Sequence, residues 1–412
     1  MKKNRMAVAV AIALAAPCAT WAQDASMPQF SFSGFGTLGF VSTSTDQAEY
    51  ATSVLQPGGA KKKPDFGVDS LIAGQLDARF TKSLSFVGQI VANRTADDDF
   101  VPHVEWAFVR YAILPDLAVR GGILAVPIFL QSDSRLIGFA NPWVRPPTAV
   151  YSQSPFTNYR GVDLVYRHDF GGVNLTVQPY LGKAPTKVPD AASGGHLTSD
   201  LDDLRGLNVA AEMGPWTVRA GYLQTQFTYR TASLAQLIGG IRAVAPLVPG
   251  AAALANSLEP IDKQIKFAAL GVVYDSGNIL FQSEYGKREA DFFLADTTSY
   301  YATLGYRFGN VMPHVTLSRV RTDSPTSQSV IPAAGPLAPV AAGVNTLLSG
   351  QNPAQKTLAL GVRWQFMRNA DLKLQWDRIN LPSGAVGNFQ RAVPGFAGSN
   401  VNVYSAAVDF VF

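Results

Sequence analysis

Cysteine is almost missing from this chain: Cys18 is the only one in 412 residues. That excludes a disulfide framework and any cysteine-based metal site. Charge is scarce too, at 16% Asp, Glu, Lys and Arg together. Of the 34 basic residues, Lys2, Lys3 and Arg5 sit at the extreme N-terminus; without them 31 remain against 30 acids, a formal charge of +1. The basic field that nucleic-acid binding requires is therefore absent. The four histidines, His103, His168, His196 and His314, stand apart, with no i, i+4 pair and no carboxylate box. They read as wall, rim or loop residues rather than metal ligands. No apolar run is long enough to cross a bilayer as a helix, and no linker divides the chain.

What the chain does have begins with an export signature. Lys2, Lys3 and Arg5 precede an apolar run at 6–16, and Thr20-Trp21-Ala22 places small residues around a cleavage point after Ala22. Cys18 follows Pro17, which departs from a lipoprotein signal. Segment 1–22 is therefore expected to be a cleaved signal peptide, and 23–412 a single domain.

The remainder alternates. Phe30-Ser31-Phe32-Ser33-Gly34-Phe35 interleaves aromatic with small residues, and Ile72, Gly74, Leu76 and Ala78 share a face opposite Gln75, Asp77 and Arg79. Period 2 with one apolar face is the mark of a half-buried strand. The spacing predicts strands at 29–42, 67–80, 84–94, 100–113, 117–126, 159–169, 173–183, 205–213, 216–230, 263–275, 278–289, 297–308, 311–322, 355–368, 371–380 and 401–412. Short turns with Gly, Asn, Asp or Pro fall near 81–83, 114–116, 170–172, 214–215, 275–278, 309–310 and 368–370. Longer connections alternate with them at 43–66, 95–99, 127–158, 184–204, 231–262, 290–296, 323–354 and 381–400.

An even count of about sixteen strands, with short turns at one end and long loops at the other, is the pattern of an all-β transmembrane antiparallel barrel. In lipid every backbone N–H and C=O needs a partner, so strands can span only in closed form. Val173, Leu175, Val177 and Leu181, then Phe267, Ala269, Gly271 and Val273, then Leu358, Leu360, Val362, Trp364 and Phe366 read as lipid-facing. The same alternation points Arg79, Arg120, Arg167, Arg219, Lys266, Arg307, Arg363 and Lys373 into the lumen. It also points Asp69, Asp77, Glu105, Asp163, Glu212, Glu284, Asp377 and Asp409 inward. Phe80, Tyr166, Phe170, Trp216, Tyr274, Phe308, Trp376, Tyr404 and Phe410 lie near strand ends, as interfacial girdles would. The Gly34–Gly39 stretch matches G-x-G-x-x-G but lacks the preceding strand and following helix of a dinucleotide site. Lys61-Lys62-Lys63 is a solvated run suited to anionic lipopolysaccharide, and 234–258 is an Ala-rich loop able to form a helix.

The C-terminus, Tyr404-Ser405-Ala406-Ala407-Val408-Asp409-Phe410-Val411-Phe412, resembles the terminal signature of Gram-negative outer-membrane barrels, with Ala406 and Ala407 where glycine is frequent. With the leader and the strand count, the chain resembles a sixteen-stranded, usually trimeric porin. The 121–147 region is loosely similar to phosphate-selective-type porins. The resemblance implies that Tyr404, Val408, Phe410 and Phe412 are read by the barrel assembly machinery. It also implies a homotrimer in outer-membrane lipid and lipopolysaccharide, passing small hydrophilic solutes or ions without a cofactor.

It further implies an inward-folded loop after strand five, which is 127–158. This stretch holds Pro127, Pro142, Pro146, Pro147 and Pro155, which exclude continuous helix or strand, yet it carries Ile128, Phe129, Leu130, Leu136, Ile137, Phe139 and Trp143. Asp133, Arg135 and Arg145 of the loop, with Arg79, Arg120, Arg167 and Arg219 of the wall, are the candidates for a pore constriction. For Asp133 and Arg135 the alternative is a latch to the wall. The function expected is a passive diffusion channel. The alternatives are a barrel enzyme such as a lipid hydrolase, with His314 near Thr316 and Ser318 the nearest approach to a site, and a loop-based receptor or adhesin.

Overall fold

The structure, a computed structural model, describes residues 27–189 and 196–412. The leader at 1–22 lies outside the described residues. Sixteen long antiparallel strands form a closed barrel. They are β1 (Gln29–Thr43), β2 (Leu71–Arg79), β3 (Leu84–Asn93), β4 (His103–Leu114), β5 (Leu117–Ala125), β6 (Asn158–Asp169), β7 (Asn174–Lys183) and β8 (His196–Met213). Then follow β9 (Trp216–Tyr229), β10 (Lys263–Asp275), β11 (Ile279–Ala290), β12 (Thr297–Tyr306), β13 (Val311–Thr322), β14 (Gln355–Met367), β15 (Ala370–Asn380) and β16 (Asn400–Val411). Each strand pairs with its neighbours in sequence. The barrel closes through β1, which pairs with β2 on one side and with β16 on the other, Phe35 opposite Val411 and Thr43 opposite Val403. Closure gives every strand two partners, which is what lipid demands of the backbone.

The outward face is apolar. Ile90, Leu181, Leu270, Leu304, Leu317 and Leu374 are each at least half exposed. In water so large an apolar belt would be an aggregation surface; around a closed barrel it is the lipid contact. Aromatic rings sit at its short-turn border, with Trp216 and Tyr274 centroids 4.6 Å apart and Tyr306 and Phe308 also 4.6 Å apart. Tyr404 and Phe412 are exposed, and Val408 and Phe410 share their outward parity.

Three features depart from the sequence expectation. First, β8 begins well before the expected 205, because Thr186–Pro189 pairs with His196–Ser199 and prolongs the ladder above the barrel. A register shift between Asp202 and Arg205, with Asp203 at φ 49°, breaks the alternation. Aspartates in that stretch imitate a solvated loop in sequence.

Second, the faces of β10 are reversed. Phe267 and Ala269 are buried on the inner side and Leu270 is exposed outside. Lys266 therefore points outward, opposite Glu289 of β11, and not into the lumen. The cause is a second apolar environment: Phe129, from the loop at 127–158, meets the Phe267 ring at 5.2 Å, so the inner wall here is core rather than water. Polarity cannot tell two apolar faces apart.

Third, 323–354 also contains a helix. Thr148–Tyr151 (α1) is a single turn; Ala232–Val244 (α2) and Ala251–Leu258 (α3) form in the Ala-rich loop; Ala338–Gly350 (α4) joins them. Leu234, Ile238, Ile241, Ala255, Ala341 and Val344 make a separate apolar cluster.

The reversed strand is directly testable. With Cys18 replaced, a nitroxide on Leu270→Cys is expected to show high oxygen accessibility in bilayers, and one on Ala269→Cys low accessibility. The opposite ranking would return β10 to the face read from sequence.

Candidate functional site

The loop at 127–158 cannot form regular structure, and its backbone groups must find partners elsewhere. They find them on the barrel wall, on the face opposite the exposed apolar belt. The Glu284 carboxylate of β11 accepts from the Leu130 N–H at 2.9 Å and from the Tyr151 hydroxyl at 3.0 Å. The Trp143 indole donates to Thr303 of β12 at 3.0 Å and Thr316 of β13 at 2.9 Å. Lys373 of β15 donates to the Gly138 carbonyl at 2.5 Å, and Arg363 of β14 to the Phe139 carbonyl at 2.8 Å. Two glycines permit this approach. A Cβ on Gly138 would fall 2.0 Å from Asp409 Oδ1, and one on Gly221 of β9 would fall 2.6 Å from the Ile128 carbonyl oxygen.

Buried charge holds the same contacts in place. Lys373 lies 2.8 Å from Asp409 and 3.8 Å from Asp371, and Arg363 lies 2.6 Å from Asp371. Asp409 also accepts from Thr37 of β1. A second group surrounds Arg145, which donates to Asp69 at 2.5 and 2.8 Å and to Ser405 at 2.7 Å, with Asp377 at 3.5 Å. Arg145 also lies over the Tyr50 ring at 5.4 Å, and burial pushes the Tyr50 hydroxyl up to about 12, so it stays neutral. Apolar contacts complete the anchorage: Leu136 and Ile137 pack on Phe35, Ala73 and Val91.

Among the described residues, the wall hydrogen bonds of 127–154 fall on β9, β11 to β16, Asp69 and Asn388, and none falls on β4 to β8. This wall shares apolar packing with the loop through Leu124, Tyr159, Tyr180 and Leu204, and it also carries Arg110 and Arg120. Arg120 forms a two-pronged pair with Asp163, at 2.9 and 2.6 Å, and lies 5.3 Å over the Phe108 ring. Asp163 also accepts from Tyr159 at 3.1 Å and Gln178 at 2.8 Å. Arg110 stands directly opposite Arg120, and the same cross-strand row continues through Ser85 to Arg79. Sequence alternation missed Arg110. A register shift at Gln89/Ile90 puts an extra residue into β4, so Glu105 and Arg110 both face inward despite their odd–even spacing.

The candidates named from sequence thus fall into distinct places. Asp133 has a side chain 70% exposed and lies 3.8 Å from Arg219. Arg219 also donates to Asn208 at 2.7 Å and to the Leu130 carbonyl at 3.3 Å. Arg135 bonds within the loop, to the carbonyls of Tyr151 at 2.8 Å and Ser154 at 2.9 Å. Burial lowers the pKa of Arg135. Its partners are carbonyls rather than a carboxylate, and it lines a cavity of about 710 Å³ shared with Glu105, Arg94, Asp97, His103 and Lys187. Arg145 is 7% exposed, at the centre of its anchoring group. Arg79 and Arg167 are removed from the loop; Arg167 donates to Thr176 at 3.3 Å near a short turn.

The remaining candidates have structural surroundings. His314, Thr316 and Ser318 are buried on the inner face, where Thr316 receives Trp143, and so are not a rim or lipid-facing constellation. His103, His168 and His196 each meet one carboxylate, and among the described residues no cluster could hold a metal. Lys61 pairs with Glu49 at 3.3 Å and Lys62 with Asp46 at 3.6 Å, which offsets part of the charge expected to meet lipopolysaccharide.

Breaking a buried ion group by removing one partner leaves uncompensated charge and costs about 3–5 kcal/mol. Arg145→Ala is therefore expected to lower thermal stability in detergent by an amount of that order. Asp133→Asn, at an exposed position, is expected to leave it unchanged. Equal melting of wild type and Arg145→Ala would show that the group around Arg145 does not anchor the loop.

No protein-family model matches the sequence, and no curated protein matches it. Solved structures do. The chain is similar to OmpT, an outer membrane protein of Vibrio cholerae, with 12% identity and a TM-score of 0.55 over 94% of this chain and 99% of that one. It is similar to an anion-selective porin from Comamonas acidovorans, with 11% identity and a TM-score of 0.54 over 94% and 100%. It is also similar to the outer membrane channel DcaP of Acinetobacter baumannii, with 11% identity and a TM-score of 0.53 over 95% and 99%. At such identities the likeness is one of fold: a porin-like, sixteen-stranded transmembrane barrel of the outer-membrane type.

Proposed function

We propose that the chain is an outer-membrane diffusion channel for small hydrophilic solutes or ions, exported by segment 1–22, with the 127–158 loop lying inside the barrel as its constriction. The observation that carries this is the one-sided anchorage of the loop. Its hydrogen bonds go to β9 and β11 to β16, and the stretch of β4 to β6 that carries Arg110, Arg120 and Asp163 is read as the side of a passage. Asp133 on the loop then faces Arg219, Arg120 and Arg110 on the wall, and Arg79 and Arg167 line the approach from the short-turn end. Opposed rows of charge create a transverse field that sets ion preference. Arg145 is a fastening of the loop, and Arg135 lines the outer vestibule.

A homotrimer fits this reading: one of the similar structures is a trimer form of OmpT. Tyr404, Val408, Phe410 and Phe412, on the outward face of β16, would be the strand presented to assembly machinery.

Purified protein in a planar bilayer is expected to give discrete conductance steps. In a salt gradient, Asp133→Lys is expected to shift the reversal potential toward anion preference, and Arg110→Ala with Arg120→Ala to shift it toward cation preference. An electrically silent protein would overturn the channel. Unchanged reversal potentials in both variants would remove these residues from the constriction.

A further inference from the structure

We infer that the outward face of β13, β14 and β15 at the long-loop end binds the phosphate groups of a phosphorylated lipid in the outer leaflet. This rests on the membrane barrel and is independent of whether the barrel conducts. Arg319 of β13 stands directly opposite Lys356 of β14, and Arg378 of β15 stands opposite Leu358, one outward position further along β14. Residues directly opposite on antiparallel strands hold their side chains on one face about 5 Å apart, and like charges there repel. The face is the outward one: Leu317, two residues before Arg319, is exposed, as are Leu360 and Leu374 on the same faces of β14 and β15.

Among the described residues, none of the three cations has a hydrogen-bond or carboxylate partner. Basic residues elsewhere on the same rim are paired in some places and not in others, Arg160 opposite Lys183 being a second unpaired case. Arg321 lies 2.6 Å from Asp323, and Lys287 lies 2.6 Å from Glu289. At Arg319, Lys356 and Arg378 three cations occupy neighbouring outward positions on three strands without a carboxylate partner among the described residues. The space for an anion is present. A groove of about 320 Å³ opens beside Arg319 and Lys356, lined also by Arg321, Ser324, Thr326 and Asn352, with Arg378 outside its lining. It therefore offers guanidinium and ammonium donors with hydroxyl and amide groups, a set suited to phosphate oxygens.

The position selects a lipid rather than a free anion. Bacterial outer-membrane barrels carry their longer loops on the outside, so this rim lies at the outer leaflet. Immediately below the cations, Leu317, Leu358, Leu360, Trp376 and Leu374 continue the same outward face into the apolar belt. A headgroup phosphate held by Arg319, Lys356 and Arg378 would lay its acyl chains along these side chains, so one molecule meets both surfaces.

The test is native mass spectrometry of the full-length barrel in detergent with three probes: diphosphorylated lipid A, its dephosphorylated form, and inorganic phosphate. Wild type is expected to retain diphosphorylated lipid A, and the R319Q/K356Q/R378Q variant to bind it at least tenfold more weakly. The dephosphorylated lipid is expected to bind both proteins at the weaker level. Inorganic phosphate in millimolar excess is expected not to displace the lipid. The single variants R378Q and K287Q supply the internal comparison, the first weakened and the second as wild type. Lipid A should also raise the melting temperature of wild type and not of the triple variant. Undiminished binding by the triple variant, or equal binding of the dephosphorylated lipid, would overturn the site. Displacement by inorganic phosphate would overturn its assignment to a lipid.

Discussion

A backbone N–H or C=O facing hydrocarbon has nowhere else to bond, and the barrel is built around that constraint. An unpaired group in lipid costs several kcal/mol, and a free strand edge would present a row of them. β1 removes the edge by pairing with β2 and β16 together, Gly36 lying between Ile72 and Phe410. Once the backbone is satisfied within the wall, side chains are free to differ on its two sides: apolar outward, and whatever the interior requires inward.

The face opposite the apolar belt is not uniform, and its contacts with the 127–158 loop are the reason. Against β9 to β16 the loop brings Phe129, Trp143 and Tyr151, and the wall answers with Phe267, Tyr301 and closely approached glycines. The carbonyls the loop cannot bond to itself go to Lys373 and Arg363, whose charges are in turn matched by Asp371 and Asp409. Buried charges of this kind contribute little net stability over apolar packing, but they penalise any arrangement that separates them. They fix where the loop lies more than how strongly the barrel holds. Among the described residues the wall of β4 to β8 receives no hydrogen bond from 127–154; Tyr159, Tyr180 and Leu204 share the apolar cluster of Phe129 and Trp143, while Arg120 is held by Asp163 and the Phe108 ring with Arg110 opposite it. The proposed passage follows from that asymmetry.

The outer rim follows a related logic at another surface. Basic residues there sit where the apolar belt meets the aqueous boundary. Arg321 and Lys287 pair with neighbouring acids within the protein, whereas Arg319, Lys356 and Arg378 have no such partner among the described residues and are the cations proposed to meet a lipid phosphate. A barrel of near-zero net charge can thus carry a basic wall inside and a basic patch outside, because its acids are distributed unevenly rather than few.

The sequence by itself determined the strands and their turns. Alternation and hairpin chemistry are local, so the turn near 214–215 and the strands flanking it, β8 ending at Met213 and β9 starting at Trp216, are legible from a few residues. The address of the loop after the fifth strand was legible for the same reason, as were the inward positions of Arg120, Asp163, Glu284 and Asp409. Tertiary structure alone decided what depends on contact between distant segments. Phe267 faces inward because Phe129 covers it, from a segment well over a hundred residues earlier. Arg110 joins the inner row because one extra residue in β4 shifts its parity against β3. Arg145 is a fastening and Asp133 an exposed charge because Asp69 and Asp377 reach the first, while among the cations of the described residues Arg219 alone comes within 4 Å of the second. Period-2 polarity records the two sides of a strand. It cannot record which stretch of the inner side is covered by protein and which by water.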